Sequence, residues 1–176
     1  MEIIPLKIRL YGDSCLRKKS EPLKEVGAAE RLLIQAMIVT MHAHKGVGLA
    51  APQVGINQRL IVVDVGDGPV ALINPQILTK KGTEVMEEGC LSIPGILVNV
   101  KRPKEIRVKY LDEYNQPKER TCSELMARVI LHETDHLNGK LIVDYLSLTA
   151  KAKLKKQLNE IKKQNQSHEG LVSNRS

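Results

Sequence analysis

The stretch His132-Glu133-Thr134-Asp135-His136 has the pattern H-E-x-x-H. On a helix its two histidines lie one turn apart and point the same way, with their Cβ atoms about 5–6 Å apart. Two imidazoles at that spacing can bind one metal ion, and Glu133 lies beside them to move protons. The pattern predicts a metal-dependent hydrolase. The alternative is two histidines satisfied by ordinary hydrogen bonds, because the motif fixes only three residues.

The flanking residues indicate that this motif lies on a helix. Ser123 is a suitable N-cap, and Thr121 with Glu124 fits a capping box one turn earlier. Asn138-Gly139 is a typical C-terminal stop.

The predicted helix has one apolar face, and the histidines continue it. Leu125 and Val129 are followed by His132 and His136 in steps of four, three and four residues. The two imidazoles are therefore expected to point inward.

A catalytic metal site needs a third protein ligand. A metzincin would have a histidine at position 142, where this chain has Ile142. Glu160 lies in a basic helix and Glu169 in a polar tail, so neither resembles a buried ligand. Upstream, Cys90 follows Gly89, and a glycine lets the backbone approach a site closely. Cys90 is the strongest candidate.

Three blocks of sequence together resemble one known family. GVGLAAPQ (residues 46–53), EGCLS (residues 88–92) and HETDH (residues 132–136) occur in the order and spacing of the peptide deformylases. The resemblance extends from Leu16 to Ser147, nearly the whole chain.

The resemblance implies a metal bound by Cys90, His132 and His136, with water in the fourth position. Thiolate and imidazole ligands suit Zn²⁺, Fe²⁺, Co²⁺ and Ni²⁺ alike. The family implies Fe²⁺ as the working ion in cells, with Zn²⁺, Ni²⁺ or Co²⁺ in its place in purified protein. Cys15 and Cys122 have no such context and are interpreted as small buried hydrophobic residues.

The resemblance also implies an activity, the hydrolysis of the N-terminal formyl group of formyl-methionine on newly synthesised polypeptides, which releases formate during translation. In this interpretation Glu133 accepts a proton from the attacking water and then passes it to the departing amine. The Gln53 side-chain amide and the Leu91 backbone N–H stabilise the developing oxyanion. The alternative for Gln53 is a surface position after a turn.

Specificity is expected to reside in residues that flank these groups. A peptide is predicted to add as an extra strand along residues 46–48. Arg128 fits either the rim of the pocket or a solvated helix position. The candidate substrate-binding residues are Val47, Gly48, Gly89, Met86, Leu125 and Val129, of which the four larger side chains fit a hydrophobic core equally well.

Composition and patterning predict one α+β domain. We expect mostly antiparallel sheets packed around a central helix that carries HETDH, with a helix at each terminal side. Residues 1–166 are predicted to form a single catalytic domain, and residues 167–176 a disordered polar tail. With 42% hydrophobic residues, three cysteines, no signal peptide and no long apolar run, a cytoplasmic protein without membrane contact is expected.

Individual elements can be predicted from periodicity and turn residues. Helices are expected over residues 24–44 and from about Thr149. Asp67-Gly68 is a hairpin turn between strands at 59–65 and 69–73. Further strands are expected at 77–83, 96–101, 106–111, after the 115–117 turn, and at 141–143.

The net charge of +7 includes lysines concentrated at residues 151–163. This segment is either a solvated basic helix face or a docking element for the ribosome near the peptide exit. Two rival functions also remain at this point, a zinc peptidase and a basic RNA- or ribosome-binding module without turnover.

Overall fold

The computed structural model describes residues 3–170, of which residues 166–170 are described by backbone alone. Within this range the chain is α+β with antiparallel strand pairing, as the sequence predicts. The helices are α1 (Ala28–Ala43), α2 (Glu124–Leu137) and α3 (Leu148–Gly170). The strands are β1 (Gly48–Ala50), β2 (Leu60–Val63), β3 (Val70–Lys81), β4 (Glu84–Cys90), β5 (Ile93–Arg102), β6 (Glu105–Leu111) and β7 (Pro117–Ser123).

Five strands form one antiparallel sheet in the order β1-β2-β3-β6-β7. The hairpin at Asp67-Gly68 joins β2 to β3, as predicted. The strands predicted at 69–73 and 77–83 are one continuous strand, β3. Pairing of β3 with β6 shifts register between Ile73 and Gln76, and Asn74 has a φ of 51°. Pro75 has no N–H for the ladder, so a bulge at this point keeps the strand in the sheet.

A second sheet consists of the β4–β5 hairpin alone. Strand β5 alternates cleanly, with Ile96, Val98, Val100 and Arg102 buried. Strand β4 was not predicted, because Glu88 is its one fully buried side chain and the strand has no apolar alternation. The hairpin nevertheless positions the site, since β4 ends at Cys90.

Helix α2 packs against β1, β2 and β7, and it follows β7 without a loop. Ser123 is its N-cap, although its side chain makes no capping hydrogen bond. The predicted capping box is wrong, because Thr121 belongs to β7 and Glu124 has a φ of 52°. The stop is correct: Asn138 is the C-cap, and Gly139 has a φ of 71°.

The remaining elements differ from the prediction mainly at their ends. Helix α1 is shorter than 24–44, and the strand expected at 141–143 is wrong, since Ile142–Tyr145 forms a 3₁₀ turn. Helix α3 packs on β5 and continues to Gly170, into the predicted tail, of which residues 171–176 lie outside the described residues. None of the helices in residues 3–170 has the length and apolar character to cross a bilayer.

Candidate metal centre and active site

Helix α2 and the end of β4 bring three metal-ligating side chains together. Cys90 Sγ lies 3.3 Å from His136 Nε2, and one ligand atom each of Cys90, His132 and His136 lie within 4.8 Å of one another. Ligands bound to a single ion at about 2.0–2.3 Å have separations of this order. One thiol and two imidazoles fit a divalent metal of the zinc or iron type.

The orientation of His132 is set by Glu88. Glu88 Oε2 lies 3.0 Å from His132 Nδ1. Burial raises the pKa of Glu88, but hydrogen bonds from His132 and Arg102 outweigh it and lower that pKa to about 2. The ionised carboxylate can only accept, so His132 Nδ1 carries the proton and Nε2 keeps its lone pair for a metal.

Glu88 in turn is held by two arginines. Arg102 forms a bidentate pair with it, from Nε at 2.7 Å and from Nη2 at 2.9 Å, and Arg128 Nη1 lies 2.6 Å from Oε1. Asp135, an unfixed position of H-E-x-x-H, accepts from Arg102 Nη1 at 2.9 Å and from the Tyr145 hydroxyl at 2.7 Å. Each of the four charged side chains of this cluster is therefore paired with a group of opposite charge, as a buried charge requires. The four are Glu88, Arg102, Arg128 and Asp135.

This cluster was not predicted from the sequence. The solvated helix position considered for Arg128 is wrong. Arg128 is 6% exposed, because its guanidinium reaches across to Glu88 and to the Val100 carbonyl. Glu88 was visible within EGCLS as an acid directly before Gly89-Cys90. No spacing rule connects it with Arg102, which is 14 residues away along the hairpin.

Glu133 is 4% exposed, and its Oε2 atom has no hydrogen-bond partner among residues 3–170. Burial raises the pKa of its carboxyl to about 7. A carboxyl group of that pKa can both accept and donate a proton near neutral pH. Gly48 lies against it, since a Cβ there would be 2.5 Å from Glu133 Oε1 and 2.6 Å from Val129 Cγ1.

Gln53 is 1% exposed, so the surface interpretation of this residue is wrong. Its Oε1 accepts from the Ala50 backbone N–H at 2.8 Å, which turns the amide Nε2 inward. Nε2 lies 3.2 Å from Ser92 Oγ and 3.6 Å from Cys90 Sγ. Ser92 was not singled out from the sequence, although it is part of EGCLS. Leu91 lies between Cys90 and Ser92 in the sequence, and its side chain packs on Gly46.

A cavity of about 560 Å³ opens beside these groups. Val47, Met86 and Leu125 are 43–46% exposed, so the core interpretation is wrong for them, whereas Val129 is buried within a core cluster as well as bordering the cavity. Every candidate named from the sequence except His136 lines the cavity: Val47, Gly48, Gln53, Met86, Gly89, Cys90, Leu91, Leu125, Val129, His132 and Glu133.

Strand β1 borders this cavity as the edge strand of the five-stranded sheet. It pairs with β2 on one side, and no other strand in residues 3–170 pairs on its second side. An extended peptide can add to such an edge through main-chain hydrogen bonds.

The other two cysteines lie away from the centre. Cys122 is buried in the core beside α2. Cys15 lies near the Pro52 carbonyl, 3.4 Å from its Sγ, and burial raises the pKa of its thiol to about 12. Cys122 therefore agrees with its interpretation as a buried residue, whereas Cys15 is only partly buried.

Comparison with known proteins gives one consistent family. Residues 5–152 match the family model described as polypeptide deformylase. A peptide deformylase from Thermotoga maritima is 49% identical over 156 residues, which is 88% of this chain and 95% of that protein.

Solved structures give the same result. The peptide deformylase of Legionella pneumophila superposes with a TM-score of 0.86 at 38% identity, covering 91% of this chain and 96% of that one. That of Synechococcus elongatus, in complex with actinonin, has a TM-score of 0.79 at 41% identity, covering 92% and 86%.

Proposed function

The chain belongs to the peptide deformylase family, and from this membership we infer that it hydrolyses the N-terminal formyl group of formyl-methionine on newly synthesised polypeptides, releasing formate. The observation that carries this inference is the meeting of three metal-ligating side chains beside a cavity of about 560 Å³ that Glu133 also lines. The family establishes a metal-dependent enzyme, and the roles of individual residues below are our proposals.

Cys90, His132 and His136 would hold one divalent ion, leaving a position open for substrate or water. When bound, the ion supplies Lewis-acid polarisation and lowers the pKa of a water molecule. We propose Fe²⁺ as the ion that works in cells. Metal analysis of protein prepared without oxygen, together with its activity before and after exposure to air, tests this choice. Stable full activity with Zn²⁺ alone would contradict it.

Glu133 moves the proton. Its carboxylate accepts a proton from the attacking water, and the resulting carboxyl group donates that proton to the leaving nitrogen as the C–N bond breaks. Gly48 leaves room for this side chain because it has no Cβ.

Gln53 and Leu91 stabilise the oxygen of the formyl group as negative charge develops on it. The Gln53 amide is oriented for this role by the Ala50 N–H, so it need not reorganise during the reaction. The Leu91 backbone N–H is the second proposed donor. Replacing Gln53 with Ala is expected to lower kcat by about 10²–10³.

The peptide binds in extended form along β1, and its first side chain enters the cavity between α2 and the β4–β5 hairpin. Val47 and Gly48 supply main-chain groups, and Met86, Leu125 and Val129 supply apolar wall. Main-chain pairing ignores the identity of the later residues, which suits an enzyme that acts on many nascent chains.

We also propose that the basic helix α3 docks the enzyme on the cytoplasmic ribosome. Lys153, Lys155, Lys156, Lys162 and Lys163 on this helix are exposed. Reversing Lys155 and Lys156 to Glu should weaken ribosome binding at low salt. Reversing Lys80 and Lys109, exposed on the five-stranded sheet, is the charge-matched control. Equal binding by both double variants would contradict the docking role.

Formate release from formyl-Met-Ala-Ser tests the activity and separates it from its rivals. The expected products are formate and intact Met-Ala-Ser. Cleavage of a peptide bond without formate would favour a peptidase, and binding without any product would favour a module that lacks turnover. Two observations disfavour the peptidase: Ile142 is buried in the core, and Glu160 is exposed.

A further inference from the structure

One wall of the substrate cavity carries a cationic side chain among apolar neighbours. Arg128 lies on α2 one turn before His132 and is 6% exposed. Met86 and Leu125 border the same cavity and are 43% and 46% exposed. Arg128 therefore belongs to the inner part of the cavity, and Met86 and Leu125 to its mouth.

The guanidinium of Arg128 is fixed from both strands of the β4–β5 hairpin. Nη1 donates to Glu88 Oε1 at 2.6 Å and to the Val100 carbonyl at 3.1 Å, and Nη2 donates to the Glu84 carbonyl at 3.1 Å. An arginine has five N–H donors. Nε–H and one Nη2–H remain without an acceptor in the described part of the chain.

One of these donors, the Nε–H, can be reached by a ligand. The Nε atom of Arg128 has no partner in residues 3–170, and it is absent from the set of unpartnered polar atoms that are closed to solvent. It is therefore accessible. The open space that Arg128 borders is the cavity itself. Glu88 neutralises Arg128, just as Asp135 pairs with Arg102, so this wall offers fixed hydrogen-bond donors and not an uncompensated charge.

A donor wall discriminates between side chains of similar shape. An apolar side chain removes water from these N–H groups and returns no hydrogen bond, whereas a side chain that ends in an acceptor restores it. The methionine thioether is a weak acceptor. Oxidation converts it to a sulfoxide, which is polar and chiral and has almost the same length.

We propose that Arg128 is a specificity-determining residue that lets this enzyme deformylate peptides beginning with formyl-methionine sulfoxide. This inference rests on the proposed function. Water adds to the formyl carbon, the C–N bond breaks, formate leaves and the amine keeps a proton, while the sulfoxide passes through unchanged. Peptides whose first residue was oxidised before deformylation therefore remain substrates.

The test compares kcat/KM for four peptides: formyl-Met-Ala-Ser, its two sulfoxide epimers and formyl-norleucine-Ala-Ser. For the wild type, at least one epimer should exceed the norleucine peptide. In Arg128→Met, the ratio of that epimer to norleucine should fall roughly tenfold to a hundredfold, the effect of losing a hydrogen bond from a charged donor. Arg120→Met, which removes an exposed arginine of β7 that does not line the cavity, should keep the wild-type ratio.

The ratio of two kcat/KM values measured on one preparation does not depend on the metal content of that preparation, because both values scale with the amount of active enzyme. Equal ratios in the wild type and Arg128→Met, or no formate from either epimer with wild-type enzyme active on formyl-Met-Ala-Ser, would overturn the proposal. Inactivity on formyl-Met-Ala-Ser itself would instead count against the proposed function. Should Arg128→Met fail to fold, Arg128→Lys provides the same comparison, because it keeps the charge and loses the planar donor fork.

Discussion

The Oε2 atom of Glu88 lies 3.0 Å from the Nδ1 atom of His132, and this contact joins helix α2 to strand β4. The same strand ends two residues later at Cys90. One strand therefore supplies the thiol of the candidate metal site and also fixes the tautomer of one of its histidines. Coupling of this kind controls how well a metal is held.

Replacing Glu88 with Gln should weaken metal binding by about 10- to 100-fold, because a neutral amide holds the His132 N–H less strongly than a carboxylate. Competition with a chelator measures the affinity directly. Glu87→Gln is the matched control, since Glu87 is the exposed neighbour on the same strand. Equal affinities for the two variants would contradict the positioning role of Glu88.

Gly48→Ala should reduce kcat with little change in metal content. The added Cβ would lie 2.5 Å from Glu133 Oε1 and 2.6 Å from Val129 Cγ1, so it must displace the carboxylate. Gly27→Ala serves as the control, because a Cβ there meets only the end of the Glu30 side chain. A wild-type kcat in Gly48→Ala would contradict this prediction, because it would mean that catalysis tolerates displacement of the Glu133 carboxylate.

Tyr145→Phe should lower the free energy of unfolding by about 1 kcal/mol, the usual net contribution of one hydrogen bond. The lost hydroxyl donates to Asp135 Oδ2 at 2.7 Å and accepts from Arg102. Tyr114→Phe, at a residue 67% exposed, should have almost no effect. Urea denaturation of both variants measures the difference. Indistinguishable denaturation midpoints would show that the Tyr145 hydroxyl does not stabilise the cluster of Arg102 and Asp135.

Asp144 should make stability depend on pH in the acid range. Burial raises the pKa of its carboxyl, but hydrogen bonds from Arg17 and the Leu141 N–H outweigh burial and lower it below the usual value. A lowered pKa contributes stability that is complete above the unfolded-state pKa of about 3.9 and is lost as pH falls through the folded-state pKa.

Asp144→Asn should therefore be less stable than the wild type at pH 7, and the difference should shrink below about pH 4. Unfolding by urea at several pH values measures it. A stability difference that stayed constant down to pH 2 would contradict this assignment.

Local patterns in the sequence predicted the elements that carry strong periodicity or turn residues. The α2 helix, its Asn138-Gly139 stop and the Asp67-Gly68 hairpin follow directly from such patterns. Strand β4 does not, because it has no apolar alternation and its one buried side chain is an acid. Residues 141–143 are apolar enough for a strand, yet they pack as a turn against β5.

The candidate site was predictable wherever a motif named it. H-E-x-x-H gave the two histidines and Glu133, and the search for a third ligand gave Cys90. Resemblance to a family added Gln53 and Leu91. The cluster of Glu88, Arg102 and Arg128 was not predictable, because it depends on the register of the β4–β5 hairpin and on its packing against α2. Pairing across such distances follows from tertiary structure and leaves no local pattern.

The most direct test of the account is the Glu133→Ala variant loaded with Fe²⁺ in the absence of oxygen. We expect one metal ion per chain, as in the wild type, and a loss of formate release from formyl-Met-Ala-Ser of at least about 100-fold, because the group that moves the proton is gone. Formate release within a few-fold of the wild-type rate, at equal metal content, would contradict it.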